Sequence, residues 1–203
     1  QPHSGRGGDQ GRHSGIEESQ AQQEEEELEE MIARDRTARK ATLVGFNFIV
    51  EKPRLALKTR LLAGEFGPLR EAHLSALWAR PRSYFVRNTW AGRLLSPDGR
   101  LILDSCFGNA MAHFVHNLLF WVGSPDLMSW SELASVQAEL YRAHDIEGAD
   151  TFFVEARNPA GVVLRLALSH ACSAPSSHAE TLVCEHATVR YVVGQQAEVR
   201  WND

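Results

Sequence analysis

Residues 138–171 read "AELYRAHDIEGADTFFVEARNPAGVVLRLALSHA", and this stretch decides the fold class. Two runs rich in β-branched and aromatic residues, "ADTFFVEARN" and "GVVLRLALSHA", flank the turn sequence "NPAG" at residues 158–161. Such runs around a short connection that contains Pro and Gly predict a β-hairpin. The preceding run "ASVQAELYRAH" predicts one more strand, so this part of the chain is expected to form antiparallel sheet.

The strand pattern continues on both sides of this hairpin. Downstream, "ETLVCEHATVRYVV" and "QAEVRWN" predict further strands, and "SAPSS" at residues 173–177 predicts another hairpin-type connection. Upstream, "PLREAHLSALWAR" alternates like a strand and "SYFVRNTWAGRL" predicts an aromatic-rich strand or loop. The run "ATLVGFNFIV" predicts a short buried strand.

The N-terminal part of the chain has a different composition. Residues 1–18 are dominated by Gly, Ser, His and Arg, and we expect them to be disordered or degenerate. Residues 19–41 predict a helix, because strong helix formers carry acids first and bases last, which suits the helix dipole. The run Glu24–Glu27 is also compatible with a solvated acidic tract. The narrow apolar stripe of the predicted helix consists of Leu28, Met31 and Ile32.

Two more helices are expected within residues 42–203. "EKPRLALKTRLLAGEFG" predicts a helix with Pro53 in its first turn and Gly64 after its end. Asn109 is a suitable N-cap for a helix Ala110–Val122, which Gly123 would end. Helices first and antiparallel strands afterwards predict an α+β fold.

Composition excludes several classes of function. The chain is 43% hydrophobic and 23% charged with a net charge of −5, and no Lys/Arg cluster predicts binding to nucleic acid or to an anionic membrane. No apolar run reaches transmembrane length, and residues 1–15 lack the apolar core of a signal peptide. Three cysteines are too few for a disulfide framework, so we expect a cytoplasmic protein. The initial Gln indicates a processed product or a fragment.

The order of four segments resembles the C-terminal substrate domain of the Gfo/Idh/MocA family of oxidoreductases. These segments are "LLAGEFGPL", "RNTWAGRL", the helix that ends in "FWVG", and "ELYRAHDIEGADT". The resemblance runs from Thr42 to Ala171 and implies an open, mostly antiparallel sheet with a few helices on one face. It also implies hydride transfer between NAD or NADP and a sugar or cyclitol alcohol, and a homo-oligomer formed through the exposed sheet face.

The resemblance also bears on Glu51-Lys52-Pro53, which matches the catalytic tripeptide of that family. In this chain the tripeptide lies downstream of the expected position, so Lys52 is interpreted as a solvent-facing lysine in a helix's first turn. The same alignment places Glu18 where the catalytic lysine is expected, and it makes residues 19–41 a helix left from a nucleotide-binding domain. No Gly-x-Gly-x-x-Gly fingerprint is visible, so we expect this chain by itself to bind neither NAD nor NADP.

The helix before Gly123 carries the candidate catalytic residues. Asn109, His113 and His116 stand where the family has Asp, His and Asp, and their spacing places them on one helix face. The resemblance makes His113 the acid/base group, Asn109 a hydrogen-bonding partner and His116 a substrate contact. The alternatives are that the two histidines are partly buried polar residues of a core helix, or that they form a His-x-x-His metal site.

Further candidates for substrate contact are Arg87, Asn88, Trp90 and Arg93, which combine an aromatic ring with hydrogen-bond donors. The alternative for this segment is an aromatic cluster at the edge of a sheet. A tetrahedral metal site would also be possible if the last strands paired as a hairpin. Its ligands would be His170, Cys172, Cys184 and His186.

Two functional hypotheses follow from the sequence. The first is that the chain is a piece of an NAD(P)-dependent sugar oxidoreductase and is inactive without its cofactor half. The second is a non-catalytic sugar-binding or dimerisation module derived from that family, which the replaced lysine and carboxylates favour.

Overall fold

The computed structural model describes residues 26–40, 45–173 and 176–202. The chain divides into two compact units. The described part of the first consists of helix α1, residues 26–37, and the turn Leu95–Leu101, whose ends form one antiparallel bridge. Helix α1 lies within the predicted helix 19–41, and its stripe residues Leu28, Met31 and Ile32 are exposed. Residues 1–18, including Glu18, lie outside the described residues.

The second unit, Phe46–Leu94 with Ile102–Asp203, is built on one seven-stranded sheet. Its strands are β1 (Leu69–Leu77), β2 (Ser135–Tyr141), β3 (Thr151–Arg157), β4 (Val163–Ser169), β5 (Ser177–Cys184), β6 (Ala187–Tyr191) and β7 (Glu198–Trp201). Their order in the sheet is β2-β3-β4-β1-β5-β6-β7. Only the β1–β4 pair is parallel among the described strands. The predicted α+β fold with an open, mostly antiparallel sheet is confirmed.

The position of β1 corrects the predicted connectivity. Residues 173–177 were expected to join two neighbouring strands, but β4 and β5 each pair with β1 instead of with each other. The chain therefore crosses over β1 between these two strands. The single strand expected over "ETLVCEHATVRYVV" is divided, because β5 ends at Cys184 and β6 begins at Ala187.

The apolar run that ends at Val50 is also not a strand where the structure describes it. Residues 47–50 form a turn, and Phe48 has a left-handed backbone with φ of 75°. Ile49 is buried at 5% exposure, so this run supplies a side chain to the core without pairing with the sheet. The apolar character predicted burial correctly and strand geometry wrongly, which is a common ambiguity of short apolar runs.

Helices α2 (Lys52–Leu62), α3 (Arg82–Phe85) and α4 (Ala112–Val122) complete the second unit. Helix α2 starts with Pro53 in its first turn, and α4 ends at Gly123, as predicted. A side chain at Gly123 would lie 2.1 Å from the carbonyl oxygen of Ser129, so the close return of the chain after α4 requires glycine.

Both long helices pack on one face of the sheet. Ala72, Leu74 and Ala76 of β1 and Leu182 of β5 point to this face and are buried with Leu118 of α4. Trp121 of α4 reaches Tyr191 of β6 with ring centres 5.5 Å apart. Burial of these apolar side chains provides the main stabilisation of the unit.

A buried ion pair fixes α2 to the sheet. Arg54 and Glu180 are both fully buried, and they form two hydrogen bonds with distances of 2.5 and 3.1 Å between nitrogen and oxygen. Arg54 also donates from Nε to the carbonyl oxygen of Phe48 at 2.9 Å, and the indole N–H of Trp121 donates to Glu180. The pair therefore ties α2, the turn at residues 47–50, α4 and β5 together.

A second buried cation joins the two helices. Lys58 of α2 donates from Nζ to the carbonyl oxygens of Phe120 at 2.5 Å, of Trp121 at 3.2 Å and of Gly123. These carbonyls belong to the last turn of α4, where a helix carries partial negative charge. Burial lowers the pKa of Lys58 to about 8. Lys58 thus caps α4 from a neighbouring helix.

The opposite face of the sheet is open. A row of charged side chains crosses its centre, in which Arg165 pairs with Glu155 at 3.1 Å and with Glu71, and His73 contacts Glu71 at 2.7 Å. Phe153 beside this row is half exposed. A broad groove of about 790 Å³ runs over this face. Among the described residues, no helix combines the length and apolar character needed to span a bilayer.

Candidate functional site

The start of helix α4 places His113 against the turn that precedes α2. The backbone N–H of Asn47 donates to Nδ1 of His113 at 3.2 Å. Since Nδ1 then acts as an acceptor, a neutral His113 carries its proton on Nε2. Phe46 contacts the same ring edge-on, with ring centres 5.8 Å apart. His113 is half-buried. The contact with Asn47 thus leaves Nε2–H of the neutral ring as its hydrogen-bond donor.

His116 lies one turn further along α4 in an aromatic environment. Its ring stacks on Phe46 at 4.1 Å and contacts Trp130 at 5.1 Å. Its Nδ1 is buried and has no hydrogen-bond partner among the described residues. Burial, and secondarily the nearby His113, lower the pKa of His116. These contacts agree with the alternative interpretation, in which His116 is a partly buried polar residue of a core helix. A role of His116 in substrate contact stays a prediction.

Asn109 does not cap α4 as predicted. The helix begins at Ala112 after Met111, and no side chain caps it. Asn109 instead donates from Nδ2 to Oδ1 of Asp104 at 2.7 Å. The other oxygen of Asp104 accepts the N–H of Gly92 at 2.6 Å. Asp104 is buried and was missed in the sequence, because a single aspartate in a loop gives no periodic or motif signal.

A second buried carboxylate organises the loop between β2 and β3. Asp150 accepts the N–H groups of Ala143 at 3.1 Å and His144 at 2.8 Å, and it contacts Nδ1 of His144 at 2.7 Å. Burial tends to raise the pKa of Asp150, but these hydrogen bonds outweigh it and hold the pKa below its ordinary value. A side chain at Gly148 would lie 2.4 Å from the carbonyl oxygen of Asp104, so only glycine permits this approach.

The candidate substrate-contact residues in "RNTWAGRL" differ from one another in the groups that they contact. Asn88 accepts the N–H groups of Trp90 at 3.1 Å and of Ala91 at 2.7 Å, so its side chain shapes the turn. Arg93 pairs with Glu147 at 3.0 Å at the edge of a cleft of about 560 Å³. Trp90 is 39% exposed.

Arg87 differs from Arg93 in its contacts. Its guanidinium group lies 3.4 Å from the centre of the Tyr84 ring and 5.4 Å from that of Trp90. Substrate binding by Arg87, Asn88, Trp90 and Arg93 stays a prediction, although Arg87 and Trp90 have the exposure that such a role needs.

The structure gives the alternative metal sites no support. Strand β4 ends just before His170, and β5 ends at Cys184. Because β1 lies between β4 and β5, they do not form the hairpin on which the four-ligand site depended. His170 contacts the carbonyl oxygen of Trp78 through Nδ1 at 2.7 Å, and burial lowers its pKa. Over residues 26–40, 45–173 and 176–202, no cluster of three or more His, Cys, Asp or Glu side chains is arranged to hold a metal ion.

The described residues also do not fit a nicotinamide dinucleotide. Such a cofactor is held where a strand passes through a glycine-rich turn into a helix N-terminus. Within the described ranges, the one strand followed directly by a helix is β1, and the connection to α3 contains no glycine. Lys52 is exposed in the first turn of α2, as predicted.

No protein-family model and no curated protein matches the sequence. Solved structures match the fold. An NAD-binding oxidoreductase from Klebsiella pneumoniae has a TM-score of 0.66 at 17% identity, over 86% of this chain and 47% of its own. The WlbA dehydrogenase from Bordetella pertussis, solved with NADH and UDP-GlcNAcA, has a TM-score of 0.57 at 23% identity, over 70% of this chain and 39% of its own.

An oxidoreductase from Agrobacterium radiobacter, solved with NAD+, L-tartaric acid and magnesium, has a TM-score of 0.57 at 18% identity, over 78% of this chain and 43% of its own. The chain shares its fold with part of each of these three proteins. The resemblance to the Gfo/Idh/MocA family is thereby confirmed at the level of the fold. The chain spans less than half the length of each of these three structures.

Proposed function

We propose that residues 42–203 are the substrate and oligomerisation domain of an NAD- or NADP-dependent oxidoreductase that acts on an alcohol carbon of a sugar or cyclitol. Helix α1 would then be the end of its nucleotide-binding domain, and the complete enzyme would take up the cofactor there. The shared fold supports this assignment, as do the sugar nucleotide and the hydroxy acid bound in two of the similar structures.

The observation that carries the proposal is the position of His113. Its Nδ1 is occupied by the N–H of Asn47, so Nε2–H is the group that can meet a substrate oxygen. A neutral imidazole in this tautomer donates a hydrogen bond and stabilises negative charge that develops on a carbonyl oxygen, the direction of ketone reduction. Taking a proton from a hydroxyl, the role predicted from the sequence, requires Nε2 to be unprotonated and the Asn47 contact to be exchanged.

Asn109 has a supporting role in this proposal. Its amide group is held by Asp104, which also holds the N–H of Gly92. The chain thereby connects the start of α4 with the segment that carries Trp90 and Arg93. The carbonyl of the Asn109 amide would then serve as a fixed acceptor for a hydroxyl group of a substrate that reaches the crevice beside Tyr84.

A homo-oligomer formed through the open sheet face belongs to the same proposal. The groove on this face combines the half-exposed Phe153 with the paired charges of Arg165, Glu155 and Glu71. A second copy related by a two-fold axis would cover the apolar parts and leave the ion pairs intact. Sedimentation analysis of the chain, with Phe153→Asp as the variant expected to dissociate it, tests this part.

A non-catalytic sugar-binding or dimerisation module is the second candidate. The observation that favours it is the lack of a dinucleotide site among the described residues. The two candidates differ in what the protein at its natural length does with NADH and NADPH. The enzyme oxidises them when a carbonyl substrate is supplied, whereas the module binds the sugar and leaves the nucleotide unchanged.

The test is a kinetic comparison in the natural-length protein. His113→Gln is expected to lower kcat by about 10²- to 10⁴-fold with little change in KM. His186→Gln, which changes an exposed histidine between β5 and β6, is the matched control and should keep full activity. Equal rates for both variants would remove His113 from the reaction, and no turnover by the natural-length protein would favour the module.

A further inference from the structure

Five side chains between β1 and the turn at Trp90 alternate as aromatic rings and guanidinium groups. We call Trp78, Arg80, Tyr84, Arg87 and Trp90 the arginine ladder. The guanidinium carbon of Arg80 lies 4.4 Å from the ring centre of Trp78 and 4.6 Å from that of Tyr84. The guanidinium carbon of Arg87 lies 3.4 Å from the same Tyr84 ring and 5.4 Å from that of Trp90.

Stacking fixes the two arginines without using their N–H groups. A guanidinium group that lies over a ring keeps its five donors in its own plane, directed away from the ring. Each ring contact also removes side-chain freedom that a flexible arginine would lose on binding a ligand. Ring contacts thus hold Arg80 and Arg87 in place.

The ladder has an excess of positive charge that the rest of the chain does not share. Residues 78–93 contain four arginines and no Asp or Glu, while the whole chain has a net charge of −5. Among the described residues, Arg93 of this group has a carboxylate partner, Glu147, and no ion pair involves Arg80 or Arg87. The Nε of Arg80 is buried without an acceptor. Since a buried donor and a charge without a partner are costly, this arrangement favours an anionic ligand.

The ladder begins beside the proposed catalytic helix. Trp78 contacts Phe114, the residue after His113, with ring centres 6.3 Å apart. Tyr84 lines the same small crevice as Asn109. The row of arginines therefore leads from the start of α4 to the exposed Trp90, over a length that a substrate larger than a single sugar ring can occupy.

We propose that the substrate of this domain is a sugar that carries an oxyanion, either a phosphate or a carboxylate, and that Arg80 and Arg87 bind this group. The inference rests on the proposed function, since it assigns the substrate class of the same site. The planar fork of a guanidinium group matches two oxygens of a phosphate or carboxylate, and such charge-assisted hydrogen bonds are about twice as strong as neutral ones. The exposed face of Trp90 would pack against the far end of the ligand.

Single-stranded nucleic acid is the competing ligand for rows of arginines and aromatic rings. Two features of this chain disfavour it. Trp90 is the only ring of the ladder that the structure places in the exposed class, and the net charge of the molecule is negative. A strand of nucleic acid needs several exposed rings and a positive groove along its whole length.

The test is direct binding to the 203-residue chain, followed by calorimetry and by intrinsic tryptophan fluorescence. The probes are glucose 1-phosphate, glucuronate, glucose and a single-stranded oligothymidylate. Saturable binding of a charged sugar but not of glucose is expected, and it should weaken about tenfold in Arg87→Gln. Arg82→Gln removes the same charge from the same segment outside the ladder and should bind as the unaltered chain does.

Arg80→Lys serves as the second variant, because it keeps the charge and loses the stacked fork; it should also bind about tenfold more weakly. Binding of glucose 1-phosphate alone would identify phosphate as the oxyanion, and binding of glucuronate alone would identify carboxylate. Equal binding of glucose, or equal loss in Arg82→Gln and Arg87→Gln, would overturn the proposal, as would binding of the oligothymidylate alone. These measurements need no turnover, so an anionic ligand can be established even if the proposed oxidoreductase activity fails.

Discussion

Replacement of Glu180 by leucine is expected to destabilise the domain more than any ordinary surface change. Glu180 and Arg54 are both completely buried, and the variant replaces this buried pair by the looser contact of Arg54 with the partly exposed carboxylate of Glu51, 3.7 Å from Nε. The indole N–H of Trp121 loses its acceptor as well. Breaking a buried pair on one side costs about 3–5 kcal/mol, so the free energy of unfolding should fall by about that amount.

The double variant Arg54→Met/Glu180→Leu separates the cost of an unpaired charge from the cost of lost packing. It removes both charges and leaves the N–H of Trp121 without its acceptor, at about 1–3 kcal/mol for such a buried group. The carbonyl of Phe48 loses Arg54 but keeps the N–H of Glu51 at 3.4 Å. Removal of the ionic desolvation cost offsets this loss. The double variant should therefore be more stable than Glu180→Leu, although it carries one substitution more.

Urea denaturation followed by tryptophan fluorescence measures these differences. Glu155→Leu is the matched control, because Glu155 pairs with Arg165 on the open face, where both side chains are over 40% exposed. That change should cost less than about 1 kcal/mol. A double variant less stable than Glu180→Leu would refute the reasoning, since it would show that the ion pair itself supplies net stability.

Two further predictions concern pH and the link between α4 and the Gly92 segment. Val193 donates its N–H to Nε2 of His178 at 3.1 Å, and burial lowers the pKa of His178, so the folded state holds fewer protons there than the unfolded chain. Stability should fall as the pH drops below about 6.5, and the slope of unfolding free energy against pH should be smaller in His178→Gln; an unchanged slope would contradict this. Asn109→Asp puts a second carboxylate at the 2.7 Å contact with Asp104 and should lower stability by about 1–3 kcal/mol at pH 7, with recovery in acid. Asn88→Asp is the control, because it keeps an acceptor for the N–H groups of Trp90 and Ala91 and should hardly change the stability. Thermal unfolding compares the two variants, and equal losses of stability would count against a specific Asn109–Asp104 contact.

The local parts of the fold were predictable from the sequence. The hairpin of β3 and β4 depends on two β-rich runs and the turn at residues 158–161, all within one short stretch. Pro53 at the start of α2 and Gly123 at the end of α4 are also local signals, because each reflects the backbone of one turn. These features follow from propensities that act over a few residues.

The parts that were missed depend on distant residues. Nothing near β1 indicates that it will lie between β4 and β5, since this order is decided by which faces can be buried together. Nor does the sequence of α2 indicate that Arg54 and Lys58 are buried, since charged residues on a helix are usually exposed. Their burial depends on Glu180 and on the carbonyls of α4, which no pattern in α2 reveals.

For the candidate site, the sequence supplied the helix and its two histidines but not their environment. The spacing placed His113 and His116 correctly on one helix, whereas Asn109 lies in the turn before it. The tautomer of His113 depends on a backbone N–H more than sixty positions earlier. Of the arginine ladder the sequence indicated Arg87 and Trp90, whereas Trp78, Arg80 and Tyr84 join it through stacking contacts that no sequence motif reveals.

The distance between Arg54 and Glu180 along the chain has a consequence for biosynthesis. The two residues are 126 positions apart, and β1 likewise pairs with strands, β4 and β5, that are synthesised much later. A ribosome releases α2, β1 and α4 long before it has made the strand that neutralises Arg54, and non-local pairing of this kind slows folding. A nascent chain that stalls before β5 would hold a cation prepared for burial and a strand β1 that has β4 on one edge but no partner on the other. We therefore expect the nascent domain to be prone to aggregation until β5 emerges and completes both contacts.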